Sequence, residues 1–213
     1  IVVGNAALRP RPDLAVSIDT ELLYGEIVDV FERSEGWAWV QARTDGYVGY
    51  LREESLSPKI GDATHMVASL RTFIYPEPDL KSPPLHLLSM NAALSLTETE
   101  EGGFGLLSEG GWIFRRHLAP LESHETDHCA VALRFVGTPY LQERSIGREA
   151  ICEHDLSDLR RGDVVYWKGH CGIWIEPAVF IHANATDMAV AVQPLNRILK
   201  HVAEATGDEN PRI

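Results

Sequence analysis

The sequence predicts a multidomain protein in which two small all-β barrels precede an α+β domain with an antiparallel sheet. Three observations support this prediction. The first quarter of the chain alternates apolar and polar residues between turns, a similar plan returns about 62 to 67 residues later, and the last third combines helical spacing with alternating strands. We expect the domains at residues 1–57, 62–121 and 125–213.

The first predicted barrel consists of short alternating segments joined by turns. Apolar and polar residues alternate over residues 26–31. Residues 37–41 follow a turn at Glu35-Gly36, and residues 46–50 follow a turn at Asp45-Gly46. Alternation bounded by such turns is typical of half-buried strands in a small β structure. Pro58 and Gly61 then suit a linker to the next module.

The second predicted barrel is a degenerate copy of the first. Arg71 corresponds to Arg9, and the segment 111–114 corresponds to the segment 46–50. Repetition at a fixed period indicates duplicated modules. The proline-rich stretch 76–84 departs from the pattern, and we expect that it is not a central strand because proline cannot donate to the ladder. In both copies the alternating aromatic residues fit either a barrel core or a ligand-binding surface.

The third predicted domain begins with a helix and continues with four strands. Residues 130–136 have apolar side chains at helical spacing and stop at Gly137-Thr-Pro, a sequence that ends helices. A closing helix is expected over residues 196–205. The predicted strands are 164–167, 172–175, 179–182 and 188–192, joined by turns into an antiparallel series.

Composition and charge argue against a nucleic-acid partner and against a membrane span. The chain has 213 residues, of which 23% are charged, and a net charge of −12 without any cluster of Lys and Arg. Since binding to phosphates requires such clusters, we expect no nucleic-acid partner. The longest apolar runs are far shorter than the roughly 20 residues that cross a bilayer, so we expect no membrane span.

Cysteine and histidine spacing predicts neither a disulfide framework nor a metal site. The three cysteines, Cys129, Cys152 and Cys171, are odd in number, widely spaced and without any CxxC pair. We expect Cys129 to be a buried apolar residue. We expect Cys171 to point to the opposite face of its strand from its neighbour His170. The other histidines show no spacing typical of metal ligands, so we expect no metal and no cofactor.

Two histidines are the candidates for chemistry. His170 stands between Gly169 and Gly172, where small neighbours leave an imidazole accessible, and His182 follows twelve residues later. If the intervening segment forms a hairpin about Glu176-Pro177, the two rings approach each other and His182 can orient His170 as a catalytic base. The same spacing also fits a pair of buried structural histidines. The residues alone leave both interpretations open.

The sequence resembles two known families. Gly36-Trp-Ala-Trp-Val40 and Gly46-Tyr-Val-Gly-Tyr50 resemble the paired strand motifs of bacterial SH3 (SH3b) domains, and the second copy does so in outline. The block 161–173, the Ile-His-Ala-Asn-Ala sequence at 181–185 and the stretch 135–141 resemble the NlpC/P60 family of cysteine peptidases. With two SH3b modules ahead, the chain is similar to the γ-D-glutamyl-L-diamino acid endopeptidase branch (dipeptidyl-peptidase VI, YkfC-like). This resemblance implies a papain-like α+β fold for the third domain.

The resemblance also implies roles for four residues. His170 matches the general base of the NlpC/P60 pattern, His182 matches the residue that orients it, and Tyr140 matches a donor at the oxyanion site. The resemblance implies that the first SH3b module closes one end of the substrate-binding cleft. Tyr47 is the expected substrate contact, with a barrel-surface aromatic as the alternative. The implied nucleophile, the cysteine of an Asp-Cys-Ser-Gly motif, is absent from the sequence.

The absence of this motif has three competing explanations. Leu141 runs directly into Gln142, where the resemblance implies about 30 to 40 further residues with the cysteine and its helix. The first explanation is that the sequence lacks residues of the natural protein. The second is a natural deletion that left a pseudoenzyme, which binds without turnover. The third is that Cys152, twelve residues after Tyr140 as in the family, replaces the nucleophile.

The function implied by the resemblance is that of a thiol protease of bacterial cell-wall turnover. Its substrates are murein peptides with a free N-terminal L-Ala, and it hydrolyses their γ-D-Glu to diaminoacid bond. The alternative is a catalytically dead protein that binds peptidoglycan fragments. We also expect an intramolecular contact between the SH3b and catalytic domains. The chain begins at Ile1 without methionine, so we expect a missing N-terminus and a location in the bacterial cytoplasm or periplasm.

Overall fold

The structure, a computed structural model, describes residues 1–59, 61–141, 158–167 and 170–206. The described chain is mostly β structure with few helices. It divides into two compact units, residues 1–124 and 125–213. A separation of the first unit into barrels at residues 1–57 and 62–121 stays a prediction. None of the helices in the described ranges combines the length and the apolar character needed to cross a membrane.

The first unit consists of antiparallel sheets and two single-turn 3₁₀ helices, Glu53–Ser55 and Arg115–His117. Its sheets have the orders β1-β2, β3-β4-β5, β13-β6-β9 and β10-β11-β12-β7-β8. The strands are β1 (Asn5–Leu8), β2 (Thr20–Leu23), β3 (Val28–Ser34), β4 (Trp37–Ala42), β5 (Val48–Arg52), β6 (His65–Val67), β7 (Arg71–Tyr75), β8 (His86–Ser89), β9 (Ala93–Leu94), β10 (Leu96–Glu101), β11 (Phe104–Leu107), β12 (Trp112–Phe114) and β13 (Leu118–Pro120).

The two halves of the first unit have separate cores. Strand β4 supplies Ala38, Val40 and Ala42 to the first core, at the alternate positions that the period of two predicts. The second core gathers side chains between Val67 and Ile113. In both halves a strand, β5 or β12, runs directly into a 3₁₀ helix, which agrees with the repeated plan of the sequence. The proline-rich stretch 76–84 is not a strand, as expected, and connects β7 to β8.

The described residues of the second unit form a four-stranded antiparallel sheet of order β14-β15-β16-β17. Its four strands agree with the predicted series. Residues 137–140 extend the sheet, because Val190 donates to Thr138 O at 2.9 Å and Tyr140 donates to Met188 O at 2.9 Å. The elements are α1 (His128–Leu133), β14 (Val164–Trp167), β15 (His170–Glu176), β16 (Val179–Asn184), β17 (Ala189–Pro194) and α2 (Leu195–Thr206).

The apolar spacing predicts the first helix of this unit over residues 130–136. Helix α1 begins and ends earlier than that range. Asp127 caps α1 by accepting a hydrogen bond from the backbone N of Ala130, and this cap fixes the start at His128. Helix α2 covers the predicted range 196–205 and packs on one face of the sheet. There Trp174 and Phe180 meet edge to face, with ring centroids 4.8 Å apart, beneath Ile198.

Candidate active site

The structure brings His170 and His182 together on one face of the sheet. Strands β15 and β16 form the expected hairpin, in which Trp174 pairs with Phe180. Because side chains alternate between faces, His170 and His182 lie on the same face as this aromatic pair. Nε2 of His170 and Nδ1 of His182 are 2.7 Å apart, the distance of a short hydrogen bond, and the two rings are nearly perpendicular at 83°.

Gly172 lies on β15 where the two strands approach closely. It is buried on β15 beside His182, and a Cβ atom at this position would lie 3.4 Å from the Cβ of His182 and 3.3 Å from Ile181 O. The glycine at this position therefore lets β15 pack closely against Ile181 and His182 of β16.

Burial makes both imidazoles neutral near neutral pH. His182 is only 7% exposed, and this desolvation, together with repulsion from His170, lowers its pKa to about 4. Desolvation also lowers the pKa of His170. In a pair of neutral rings one nitrogen must donate and the other must accept. The contact is therefore a hydrogen bond between neutral groups whose direction depends on the tautomers.

A polar cluster that the sequence reasoning missed lies behind His182. Gln193 on β17 is 3% exposed and donates from its Nε2 to Oδ2 of Asp187. Asn184 Nδ2 donates to the same oxygen at 3.2 Å, and Arg197 Nη2 donates to Oδ1 at 3.3 Å. The signal was present in the sequence, because Gln193 interrupts the apolar pattern of strand 189–194 at an inward position.

The other two predicted site residues, Tyr140 and Tyr47, lie in different units of the chain. Tyr140 is half-buried beside Met188, at the edge of the sheet. Tyr47 belongs to the first unit, where it packs partly buried against the first core. It precedes β5, which begins at Val48, so its expected position on that strand is wrong. The Tyr47 backbone N instead bonds Asp45 Oδ1 at 2.9 Å, as a tight turn requires.

The two described cysteines do not face His170. Cys129 is fully buried in α1 with its Sγ 3.8 Å from Trp174 O, as expected for a packed residue. Cys171 pairs with Tyr166 whereas His170 pairs with Trp167, so the two neighbours occupy opposite faces as predicted. Although the residue is exposed, desolvation raises the pKa of its thiol, which disfavours the reactive thiolate. Cys152 lies outside the described residues.

The described residues around the histidine pair form no metal site. Within residues 1–59, 61–141, 158–167 and 170–206, no three His, Cys, Asp or Glu side chains are grouped so that they could hold an ion. The pair is suited instead to moving a proton. Such a pair can act as a base and its orienting partner once a nucleophile is brought to the face of His170.

Comparison with known proteins assigns the first module and the fold. Residues 8–56 match the family model described as the bacterial dipeptidyl-peptidase Sh3 domain. The first module is thus similar to bacterial SH3 domains. The chain is also similar to Dipeptidyl-peptidase 6 of Lysinibacillus sphaericus, with 21% identity over 248 residues that cover 92% of this chain and 91% of that protein.

The fold is that of a solved NlpC/P60 family protein from Bacillus cereus. The two structures superpose with a TM-score of 0.73 at 19% sequence identity, over 92% of this chain and 93% of the other. The predicted likeness to NlpC/P60 proteins is thus confirmed for the fold. The roles of individual residues in the second unit stay predictions.

Proposed function

We propose that this protein is a cysteine peptidase that acts on peptides derived from the bacterial cell wall. The observation on which the proposal depends is the 2.7 Å contact between His170 and His182 on one face of a four-stranded sheet. The SH3 module, the similarity to a dipeptidyl-peptidase and the fold of an NlpC/P60 protein support it.

The bond cleaved in this proposal joins γ-D-Glu to the diaminoacid of a murein peptide with a free N-terminal L-Ala. His170 takes the proton of the thiol, the resulting thiolate attacks the γ-carbonyl carbon, the C–N bond breaks, and His170 gives that proton to the leaving amine. Water then hydrolyses the thioester and returns the proton to His170. Tyr140 supplies a donor to the oxyanion, and Tyr47 contacts the substrate.

The nucleophile in this proposal is the cysteine of the Asp-Cys-Ser-Gly motif that the resemblance implies between Leu141 and Gln142 and that the 213-residue sequence lacks. Cys129 is packed in the core of the second unit, and Cys171 faces away from His170. Cys152 is the third cysteine of the sequence and stands twelve residues after Tyr140. Cys152 is the alternative nucleophile, and its spacing to Tyr140 is the observation behind that alternative.

A second candidate function is a protein that binds the same peptides without turnover. The observation that favours it is the absence of the Asp-Cys-Ser-Gly motif. The alignment with Dipeptidyl-peptidase 6 extends over 248 positions, more than the 213 residues of this chain, so the relative has residues for which this chain has no counterpart. A loss of the nucleophile with retention of the cleft would leave binding intact.

Hydrolysis of L-Ala-γ-D-Glu-diaminopimelate by the full chain tests both candidates. We expect release of diaminopimelate that is abolished by iodoacetamide and by His170→Ala, whereas Cys171→Ala retains activity as the matched control. Loss of activity in Cys152→Ala would assign the nucleophile to Cys152 instead. Hydrolysis that survives His170→Ala would contradict the assignment of the base. Saturable binding of the tripeptide without any product would identify the second candidate.

The intact mass of the natural protein separates a deletion from an incomplete sequence. A mass near 23.7 kDa, that of the 213 residues, means that the segment after Leu141 is naturally absent. An excess of several kDa means that the natural chain contains further residues. The activity assay is then repeated on that longer chain, with the cysteine of the added segment as the variant.

A further inference from the structure

We propose that Gln193, held by Asp187, is a positioning residue that fixes the tautomer of His182 and thereby makes Nδ1 of His170 the basic nitrogen. The catalytic part of this inference rests on the proposed peptidase function. The tautomers themselves are a property of the folded chain and do not depend on that function.

Two buried polar atoms identify the link between His182 and Gln193. Nε2 of His182 and Oε1 of Gln193 are both buried, and neither makes a hydrogen bond of ordinary geometry to another described residue. His182 pairs with Ala191 and Phe180 pairs with Gln193, so the two side chains are diagonal neighbours on one face. A hydrogen bond from His182 to the Gln193 side chain raises the pKa of His182 against the larger lowering by burial. Since buried polar atoms are rarely left unpaired, these two atoms form the missing pair.

Asp187 determines which end of the Gln193 amide faces His182. A carboxylate can only accept hydrogen bonds, so the amide must present its NH₂ group to Asp187 Oδ2. Its oxygen then points the other way, towards His182. Asp187 is itself held in place, because its backbone N donates to Asn184 Oδ1 at 2.8 Å and Arg197 pairs with its Oδ1. The orientation of the amide is therefore fixed by a charged group and not by the histidine.

The amide oxygen in turn determines the proton positions of both rings. An acceptor beside Nε2 of His182 requires a proton on that nitrogen, and a neutral ring has no second proton. Nδ1 of His182 is then an acceptor, and it lies 2.7 Å from Nε2 of His170. That nitrogen of His170 must donate. The lone pair of His170 is consequently on Nδ1, the nitrogen directed away from His182.

Removal of the amide oxygen of Gln193 allows the protons of the two rings to change position. In Gln193→Leu, His182 can place its proton on Nδ1 and donate to His170, which then carries its own proton on Nδ1. The base nitrogen would be protonated in that tautomer and unable to accept. If the protein is a peptidase, we expect kcat to fall at least about tenfold with little change in KM, because general-base catalysis is lost while substrate contacts remain.

Long-range ¹H–¹⁵N NMR of the histidine side chains in the ¹⁵N-labelled full chain tests the inference without any activity. Loss of signals in His170→Gln and His182→Gln assigns the two rings. We expect both rings of the wild type to be protonated on Nε2 at pH 7.5, and His182 of Gln193→Leu to show a substantial Nδ1-protonated population. Val192→Ala, a neighbour on the exposed face of the same strand, is the matched control and should leave the spectrum unchanged.

Two outcomes would overturn the inference. One is a wild-type His182 protonated on Nδ1, and the other is an unchanged ¹⁵N pattern in folded Gln193→Leu. If Gln193→Leu does not fold, Asp187→Asn provides the second variant, since an amide at this position no longer forces the orientation of Gln193. A mixed tautomer of His182 in Asp187→Asn supports the inference, and a pure Nε2-protonated ring contradicts it. A peptidase assay that fails for all variants would affect only the proposed function.

Discussion

At the scale of the residue, His182 combines deep burial with two polar ring nitrogens. Its Nδ1 contacts His170, and its Nε2 lies near the amide of Gln193. A buried imidazole is stable only while it is neutral and its nitrogens have partners. The sequence alone left open whether the histidines are structural or catalytic. In the proposed function the two interpretations coincide, because the contact that satisfies the buried ring of His182 would also orient His170 as a base.

The depressed pKa of His182 predicts a loss of stability in acid. The folded value is about 4, against an ordinary value of 6.5, and burial is its main cause, followed by repulsion from His170. The unfolded chain therefore binds the proton more readily, so the stabilising contribution is complete above pH 6.5 and is lost as the pH falls towards 4. We expect this residue to account for roughly 2 kcal/mol of the decline in unfolding free energy between pH 7.5 and pH 4.5.

Urea unfolding of the wild type and His182→Gln across this pH range measures the effect. The variant should be less stable at pH 7.5, where it has lost a packed side chain, and its stability should decline less steeply in acid. The exposed His124→Gln is the control and should follow the wild type. Parallel curves for wild type and His182→Gln would contradict the assigned pKa.

At the scale of the element, the sequence predicted strands better than it predicted helix ends and polar networks. The strands 164–167 and 179–182 follow from alternation, which is a local property of the chain. The start of α1 depends instead on Asp127, whose capping bond the apolar spacing does not reveal. Gln193 and Asp187 meet only because β16 and β17 pair in one register, which requires contacts that no local pattern encodes.

Asp127 offers a test of how α1 is held at its start. Its Oδ1 accepts from Ala130 N at 3.0 Å and from Arg161 Nη1 at 2.7 Å, and the hydrogen bond from Arg161 holds the pKa of this carboxyl below its usual value. We expect Asp127→Ala to lower the melting temperature by a few degrees, because the cap is lost. Asp127→Asn keeps an acceptor for the cap and loses only an exposed ion pair, which contributes little. Equal melting temperatures for Asp127→Ala and the wild type in a calorimetric scan would show that the cap does not stabilise this unit.

At the scale of the whole molecule, the hydrophobic cores follow the division into two units. Each of the two clusters of the first unit takes its side chains from residues 1–124, and the cluster around Phe180 takes its side chains from residues 125–213. A unit with its own core can open without the other, since stability is distributed in cooperative segments and is not uniform along a chain. We therefore expect a destabilising substitution in one core to increase opening of its own unit and not of the other.

Hydrogen exchange of the full chain with Phe180→Ala tests this independence. Phe180 is fully buried against Trp174, and truncation of a buried Phe costs about 3 to 5 kcal/mol. We expect exchange of amides in β14 to β17 to accelerate at least about a hundredfold, while amides in β3 to β5 keep their wild-type rates. Val40→Ala in the first core should produce the reciprocal pattern, and Val192→Ala, whose side chain is partly exposed, should change little. Equal acceleration in both units by Phe180→Ala would mean that they unfold as one cooperative body.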